Sequence, residues 1–260
     1  MKTEKTKWIK SIAAAVVISS MGLASQAYSA EVPFLYTGDN GPGYWGELTP
    51  EWSACGAGTR QSPINLVDAK ENSDLDKLEL YTYPTTIHLI NTGHNIEQEY
   101  EGTGSSINFA GVEYELLQFH FHTLSEHTVD DDRSGMEMHA VFSDPVSGNL
   151  LVIGTLYKIG SDDNSFIQSM IDAGLPAQKG ETVTTTTSID VKDGMTSTKS
   201  YYTYAGSLTT PPCTENVTWV VQKKQATLSL EQWQAFRDIV GNNFRPLQKI
   251  NDRVISARHD

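Results

Sequence analysis

Three histidines have the spacing of metal ligands. His120 and His122 are one residue apart in a strand-like run, and His139 lies in a second such run, residues 136–142. Successive side chains of a strand point to opposite faces, so His120 and His122 share one face. If the two runs pair side by side, three imidazoles converge on one point. Three neutral nitrogen ligands with an open fourth position describe a catalytic zinc site.

The same alternation predicts what surrounds these ligands. Gln118 shares the face of His120, and Glu137 shares the face of His139. Metal-bound imidazoles usually give their second N–H to such groups. Val141 lies on the face of His139 and would form an apolar wall near the metal. The alternative, ordinary core or surface histidines on a sheet, fits the closely spaced pair by itself but fits the whole set less well.

The elements that must position these residues are mostly strands. The β-prone runs, separated by turn residues, are residues 78–83, 86–90, 96–100, 114–123, 136–142, 150–159 and 216–223. Two helices are predicted, over residues 164–173 and 230–240, the second with a capping box and a terminal glycine. The Thr-rich segment 182–200 is a loop or an exposed strand. The chain is therefore expected to be mainly β (α+β), a single domain around a large, mostly antiparallel central sheet with a few short helices.

Residues 1–27 have the pattern of a signal peptide. Four lysines precede a mostly apolar stretch, residues 12–23. This stretch is short for a membrane span. Cleavage is predicted after Ala27, with cleavage after Ala30 or an uncleaved anchor as alternatives. The expected mature domain is residues 28–260, with no further membrane span. The bacterial character of the segment predicts the periplasm, with full secretion as the alternative.

Charge and cysteine content limit the function classes. The formal net charge of -13 makes nucleic acid and anionic membrane surfaces poor partners. The two cysteines, Cys55 and Cys213, are far apart in the sequence. In an exported protein such a pair favours a disulfide over two free thiols. A zinc site built on cysteine is a weak rival without close Cys spacing.

Several motifs together resemble the α-class carbonic anhydrases over most of the mature chain. The most specific are Gln118-Phe119-His120-Phe121-His122 and Gly206-Ser207-Leu208-Thr209-Thr210-Pro211-Pro212. The others are residues 40–45, 60–64, 125–130, 137–139 and 243–246. Their order along the chain also matches the family.

The resemblance implies one Zn²⁺ per chain and the reversible hydration of carbon dioxide to bicarbonate and a proton by a zinc-bound hydroxide. Thr209 would orient the hydroxide, with Glu126 as its partner. An ionised carboxylate only accepts hydrogen bonds, so Thr209 must donate to Glu126 and accept from the hydroxide. Thr210 would contact bicarbonate. Asn243 joins Gln118 and Glu137 as a residue that supports the ligands.

An apolar wall for carbon dioxide is implied by the same resemblance. For each of its members, an ordinary place in the core is the alternative. Its residues are Val141, Val152, Leu208, Val217 and Trp219.

The resemblance also assigns a route for the proton. His94 matches the family's proton shuttle, and a histidine that titrates near pH 6.5 suits a donor near 7. Without the resemblance, His94 is an exposed turn histidine. Tyr36, Thr92 and Glu97 would belong to the shuttle's water network. Thr92 and Glu97 occupy positions where asparagine is usual, and Glu97 would favour a charged His94.

Other functions are weighed against this one. Hydrolysis of esters by the same hydroxide is expected as a weak side activity. A catalytically inactive binding module is the alternative from another class, and the presence of all three histidines with Glu126 and Thr209 argues against it. His127 is expected to brace the loop rather than bind metal. The sequence leaves the oligomeric state open, a homodimer being one alternative.

Overall fold

The computed structural model describes residues 32–100 and 102–259. The predicted signal peptide, residues 1–27, lies outside the described residues. No helix in the described part of the chain has the length and apolar character needed to cross a membrane.

The described residues form sixteen strands and four short α-helices. The strands are β1 Asn65–Leu66, β2 Lys70–Glu71, β3 Glu79–Tyr81, β4 Thr85–Asn91, β5 Ile96–Glu99, β6 Ser106–Phe109, β7 Val112–His122, β8 Thr128–Val129, β9 Asp132–Arg133, β10 Met136–Ser143, β11 Leu150–Gly160, β12 Thr182–Ile189, β13 Tyr201–Gly206, β14 Val217–Gln222, β15 Ala226–Ser229 and β16 Ser256–Arg258. The α-helices are α1 Trp45–Leu48, α2 Ala54–Ala57, α3 Ser165–Ala173 and α4 Leu230–Val240, and the 3₁₀ turns are Gly38–Asn40, Pro50–Trp52 and Val191–Gly194.

One large sheet organises the chain, as predicted. Its main path runs β12-β4-β5-β7-β10-β11-β14-β13-β16-β2, and β3, β6 and β15 pair beside this path. Most neighbours are antiparallel. The exceptions in this sheet are β11 with β14, β11 with β15, and β16 with β2. The expectation of a mainly β fold with a mostly antiparallel central sheet is confirmed.

The two faces of the sheet pack against different apolar clusters. On one face, Phe119 and Phe121 are buried in the larger apolar core, which also takes buried side chains of α3 and α4. On the other face, a smaller apolar cluster contains Val141, Val152 and Trp219. Because strand side chains alternate, the residues between the core phenylalanines necessarily face this second side.

The two predicted helices, α3 and α4, are formed within one residue of their predicted bounds, whereas the short α1 and α2 were not predicted. Asn164 caps α3 by accepting from the backbone N–H groups of its first turn. Ser229 and Gln232 form the predicted capping box of α4, which ends at Gly241. The Thr-rich segment forms the exposed edge strand β12 and then a 3₁₀ turn.

Strand β13 is not among the predicted strands. It is held by pairing on both sides, with β14 and β16, and such long-range pairing leaves little local signal.

Candidate metal centre and active site

The three candidate ligands meet on adjacent central strands. β7 and β10 pair antiparallel with His139 directly opposite His120. Ring centroids are 5.1 Å apart for His120 and His122, 5.3 Å for His120 and His139, and 4.6 Å for His122 and His139. One nitrogen from each ring lies within 4.8 Å of the others. The register of two strands thus brings together residues that the alternation only put on the same side.

The hydrogen bonds of two of these rings leave a lone pair for a metal. Nδ1 of His120 lies 2.8 Å from Oε1 of Gln118, and Nδ1 of His122 lies 2.6 Å from the carbonyl oxygen of Asn243. Both partners accept, so each Nδ1 donates and each Nε2 is unprotonated. Nε2 of His122 is buried and has no hydrogen-bond partner among the described residues. A metal ion would satisfy this atom, and the donor set fits zinc.

Burial keeps these two imidazoles neutral, which a metal ligand requires. Desolvation lowers the pKa of His120 well below its usual value, and the neighbouring His122 and His139 lower it further. Desolvation also lowers the pKa of His122, although Glu126 opposes this. The site therefore does not need to lose protons from these rings before it binds a cation.

Glu137 holds the third ring. Its Oε1 lies 2.9 Å from Nε2 of His139 and 2.7 Å from Nδ1 of His127. Burial would raise the pKa of Glu137, but the charges and hydrogen bonds of His127 and His139 outweigh it and hold that pKa well below its usual range. Because an ionised carboxylate accepts only, Nε2 of His139 donates, which leaves Nδ1 facing the other two ligands.

His127 continues a buried hydrogen-bond chain away from the metal centre. Its Nε2 lies 2.6 Å from the hydroxyl of Tyr204, which lies 2.9 Å from Oγ of Ser62. Ser62 and Ser207 are joined in turn by two backbone-to-hydroxyl bonds. His127 braces this region, as the sequence suggested. The parts played by Tyr204 and Ser207 were missed, because nothing local marks them as partners of a histidine far along the chain.

Glu126 is buried behind the ligands, and its surroundings differ in part from the prediction. Its Oε1 accepts from the backbone N–H of Arg245 at 2.7 Å. Its Oε2 lies 3.6 Å from Nε2 of His122 and has no hydrogen-bond partner among residues 32–100 and 102–259. The described residues therefore show no hydrogen bond from Thr209 to Oε2 of Glu126.

A cavity opens onto the ligands and collects most of the predicted site residues. Those that line it are Thr92, His94, Glu97, Gln118, His120, His139, Val141, Val152, Leu208, Thr209, Thr210 and Trp219. Val217 is buried in the same apolar cluster but does not line the cavity. His122, Glu126, Glu137 and Asn243 lie fully buried behind its wall.

His94 lies at this cavity in the turn between β4 and β5. Its ring stacks on Phe34, with centroids 3.8 Å apart and planes inclined by 14°. Its carbonyl oxygen accepts from Nδ2 of Asn243 at 2.9 Å. The ring of Tyr36 is 6.4 Å away, and burial, then the charge of Glu126, raises the pKa of that tyrosine. Phe34 was missed, since nothing in its local sequence marks it as a partner of His94.

Thr92 closes the turn that carries His94. Its hydroxyl lies 2.7 Å from Oδ1 of Asn95 and accepts from the backbone N–H of Asn95 at 3.1 Å. The hydroxyl is thus engaged in hydrogen bonds within the turn and holds it closed.

Glu97 pairs across the strands with His120. Burial, and then the nearby charge of Glu99, raises its pKa to about 7. The carboxyl is therefore only partly ionised at neutral pH, which weakens the influence on His94 that the sequence suggested.

The predicted disulfide is formed between Cys55 and Cys213, which are 158 residues apart. Cys213 donates its backbone N–H to the carbonyl of Thr210 at 2.9 Å, so the bridge anchors the segment after Thr209. Buried Arg245 bonds the carbonyls of Cys55 and Ser62, each at 2.8 Å. Burial lowers the pKa of Arg245 to about 10. Arg245 therefore connects the disulfide next to this segment with Glu126, whose Oε1 accepts from its backbone N–H.

Comparison with known proteins identifies relatives along most of the chain. A family model described as eukaryotic-type carbonic anhydrase matches residues 40–259. A carbonic anhydrase of Nostoc sp. is 38% identical over 237 residues, which cover 90% of this chain and 89% of that protein. A carbonic anhydrase of Klebsiella pneumoniae is 36% identical over 222 residues, covering 85% of this chain and 89% of its own.

A solved structure shows the same fold. The α-carbonic anhydrase from Thermovibrio ammonificans, in complex with the inhibitor sulfanilamide, superposes with a TM-score of 0.82 at 35% sequence identity. The match covers 86% of this chain and 99% of that one.

Proposed function

The chain belongs to the eukaryotic-type, or α-class, carbonic anhydrase family, and from this premise we propose that it catalyses the reversible, zinc-dependent hydration of carbon dioxide to bicarbonate and a proton. One observation carries the proposal. His120, His122 and His139 converge on one point, and each has its other ring nitrogen engaged by a different acceptor. Such a set of preset neutral ligands suits a catalytic metal.

One zinc ion per chain would be held by these three histidines. When bound, the ion supplies Lewis acidity that lowers the pKa of water to about 7, for which carbonic anhydrase is itself the reference case. Gln118, Glu137 and the carbonyl of Asn243 keep the rings in the required tautomers. Because no direct ligand carries a formal charge, the charge of the ion acts almost undiminished.

Thr209 is proposed to orient the attacking oxygen, with Glu126 as the acceptor of its proton. Thr209 and His139 line the same cavity. Glu126 is suited to accept, since the backbone of Arg245 fixes one oxygen while the other has no partner in the described part of the chain.

Carbon dioxide is apolar, and one side of the cavity is apolar too. Val141, Val152, Leu208 and Trp219 would hold the substrate there, with Val217 packed behind them. Thr210, at the same cavity, would contact bicarbonate as it leaves.

His94 is proposed to carry the product proton to the solvent. It lines the cavity together with His120, and its ring rests on Phe34. A histidine near neutral pH can take a proton and release it to buffer. Tyr36 and Glu97 would help to order the water between His94 and the metal centre.

Metal analysis and stopped-flow hydration of carbon dioxide test the proposal together. The purified protein should carry about one zinc per chain, and His122→Ala should lose both the zinc and the activity. His88→Ala is the matched control, because His88 pairs with Glu99 on an exposed strand surface. Full activity in protein free of zinc would disprove the proposal.

Ester hydrolysis remains a weaker proposal for the same centre. Hydrolysis of a nitrophenyl ester should disappear in His122→Ala together with hydration. A binding module without catalysis is disfavoured by the complete set of histidines and by the buried carboxylates behind them.

We assign the protein to the periplasm, with full secretion as the alternative. The disulfide supports an oxidising compartment. Fractionation of cells that produce the full chain tests this, and recovery of the active protein from the cytoplasm would contradict it.

A further inference from the structure

Asn243 is hydrogen-bonded at both ends of the proposed proton path, to the turn of His94 and to the metal ligand His122. Its Nδ2 donates to the carbonyl oxygens of His94 and Phe121, both at 2.9 Å, and its Oδ1 accepts from the backbone N–H of Thr123 at 2.9 Å. Its own carbonyl oxygen accepts from Nδ1 of His122. The residue is fully buried.

These contacts fix the orientation of the side-chain amide. A flipped amide would point its oxygen at two carbonyl oxygens and its NH₂ group at the N–H of Thr123, and each contact would be repulsive. Only asparagine, among residues of this size, offers two donors and one acceptor here. The amide therefore ties the turn of His94 to the end of β7.

The turn of His94 is closed by its own hydrogen bonds, so its position depends on what anchors it to the rest of the fold. Thr92 and Asn95 close the turn through their own hydrogen bonds. A hydrogen bond to the carbonyl of His94 consequently fixes the position of the whole turn, and with it the position of the imidazole.

We propose that Asn243 is a positioning residue that sets the distance between the proton-carrying imidazole of His94 and the metal centre. The inference rests on the proposed function, in which His94 exports the proton. It is distinct from the support that the backbone of Asn243 gives to His122, since a substitution removes the amide and keeps the carbonyl oxygen.

Kinetics separate this role from a general loss of structure. Export of the proton follows formation of bicarbonate, so a misplaced His94 lowers kcat and leaves kcat/KM nearly unchanged. In zinc-loaded full-length protein in weak buffer, we expect Asn243→Ala to lower kcat about fivefold and kcat/KM less than about twofold. Added imidazole should restore part of kcat.

A double-mutant cycle with His94→Ala supplies the decisive comparison. Where His94 has no imidazole, the loss of the Asn243 amide should lower kcat no further. An equal fall of kcat in both backgrounds, or a fall of kcat/KM as large as that of kcat, would overturn the inference. If Asn243→Ala does not fold, Asn243→Ser takes its place, because its hydroxyl is too short to reach the carbonyl of His94.

Thr123→Val is the matched structural control. It removes the hydroxyl that donates to the carbonyl of Gly241 at 2.5 Å and, at a longer 3.4 Å, faces Oδ1 of Asn243. It keeps the backbone N–H that donates to Oδ1 of Asn243 at 2.9 Å and the hydrogen bond from Asn243 to His94. Its melting temperature should fall while kcat stays within about twofold of the parent. A normal kcat in His94→Ala alone would refute the shuttle in the proposed function, which is a result separate from failure of the cycle.

Discussion

Oε1 of Glu137 lies 2.9 Å from Nε2 of His139, and both side chains are buried. This contact decides which nitrogen of His139 carries the proton, and hence which nitrogen faces the other histidines. The same oxygen accepts a hydrogen bond from Nδ1 of His127. The carboxylate therefore links the metal centre to the buried series of hydrogen bonds that ends at Ser207. The charge of one residue therefore serves both ligand geometry and packing.

Glu137→Gln should weaken zinc binding. Glutamine keeps the shape but loses the charge, and its NH₂ group would meet an N–H donor. We expect zinc affinity to fall about 10- to 100-fold, measured by competition with a chelator. Glu231→Gln, which changes an exposed carboxylate in the first turn of α4, should leave the affinity as it was. Equal affinity in both variants would contradict a role for Glu137 in holding His139.

Thr209→Val should slow the chemical step itself. Removal of the hydroxyl takes away the group that orients the attacking oxygen, so kcat/KM for hydration should fall about 100-fold. Thr209→Ser keeps the hydroxyl and should retain most of the activity. If serine and valine variants were equally slow, the loss would have to come from the missing methyl group and its packing.

Glu97→Gln should change the pH dependence of stability. Burial first, and the charge of Glu99 second, raise the pKa of Glu97 from 4.5 to about 7. Between these values the unfolded chain loses the proton while the folded protein keeps it, so folding is favoured at low pH and loses this contribution as the pH rises through 7.

Glutamine has no such penalty at any pH. From about pH 5 to about pH 8, the free energy of unfolding of the variant should therefore rise by about 1 to 2 kcal/mol relative to that of the parent. This figure is reduced because Glu97 is partly exposed. Denaturant melts of parent and variant at pH 5 and pH 8 measure this difference. If the free energies of unfolding of the two proteins changed equally with pH, the prediction would be contradicted. A bound divalent cation favours the ionised form, so the gain should be smaller in zinc-loaded protein.

Loss of the disulfide should destabilise the fold and loosen the segment that carries Thr209. Closing a loop of 158 residues restricts the unfolded chain, and the chain-entropy model gives about 5 kcal/mol for it. Denaturant melts under reducing conditions should approach those of the Cys55→Ser/Cys213→Ser variant. Coincident melts of oxidised and fully reduced protein would rule out this contribution.

Strand alternation was enough to group the candidate ligands, because its period of two is a local property of the backbone. His120, His122 and Gln118 could be put on one face without knowledge of any partner strand. Helix caps were predictable for the same reason, since Ser229 and Gln232 bond within one turn. His94 and Thr209 depended on resemblance to a family, because an exposed turn histidine or a threonine in a loop has no periodic signal.

The sequence by itself thus determined the face on which the ligands lie, the class of the fold and the chemistry open to three imidazoles. Tertiary structure alone decided which unpredicted contacts complete them: Asn243 with the carbonyl of His94, Tyr204 with His127, and Phe34 stacked on His94. It also placed Oε2 of Glu126 3.6 Å from Nε2 of His122, with no hydrogen-bond partner among the described residues. Local periodicity follows from the geometry of neighbouring residues, whereas these contacts join segments whose meeting depends on the register and packing of the whole sheet.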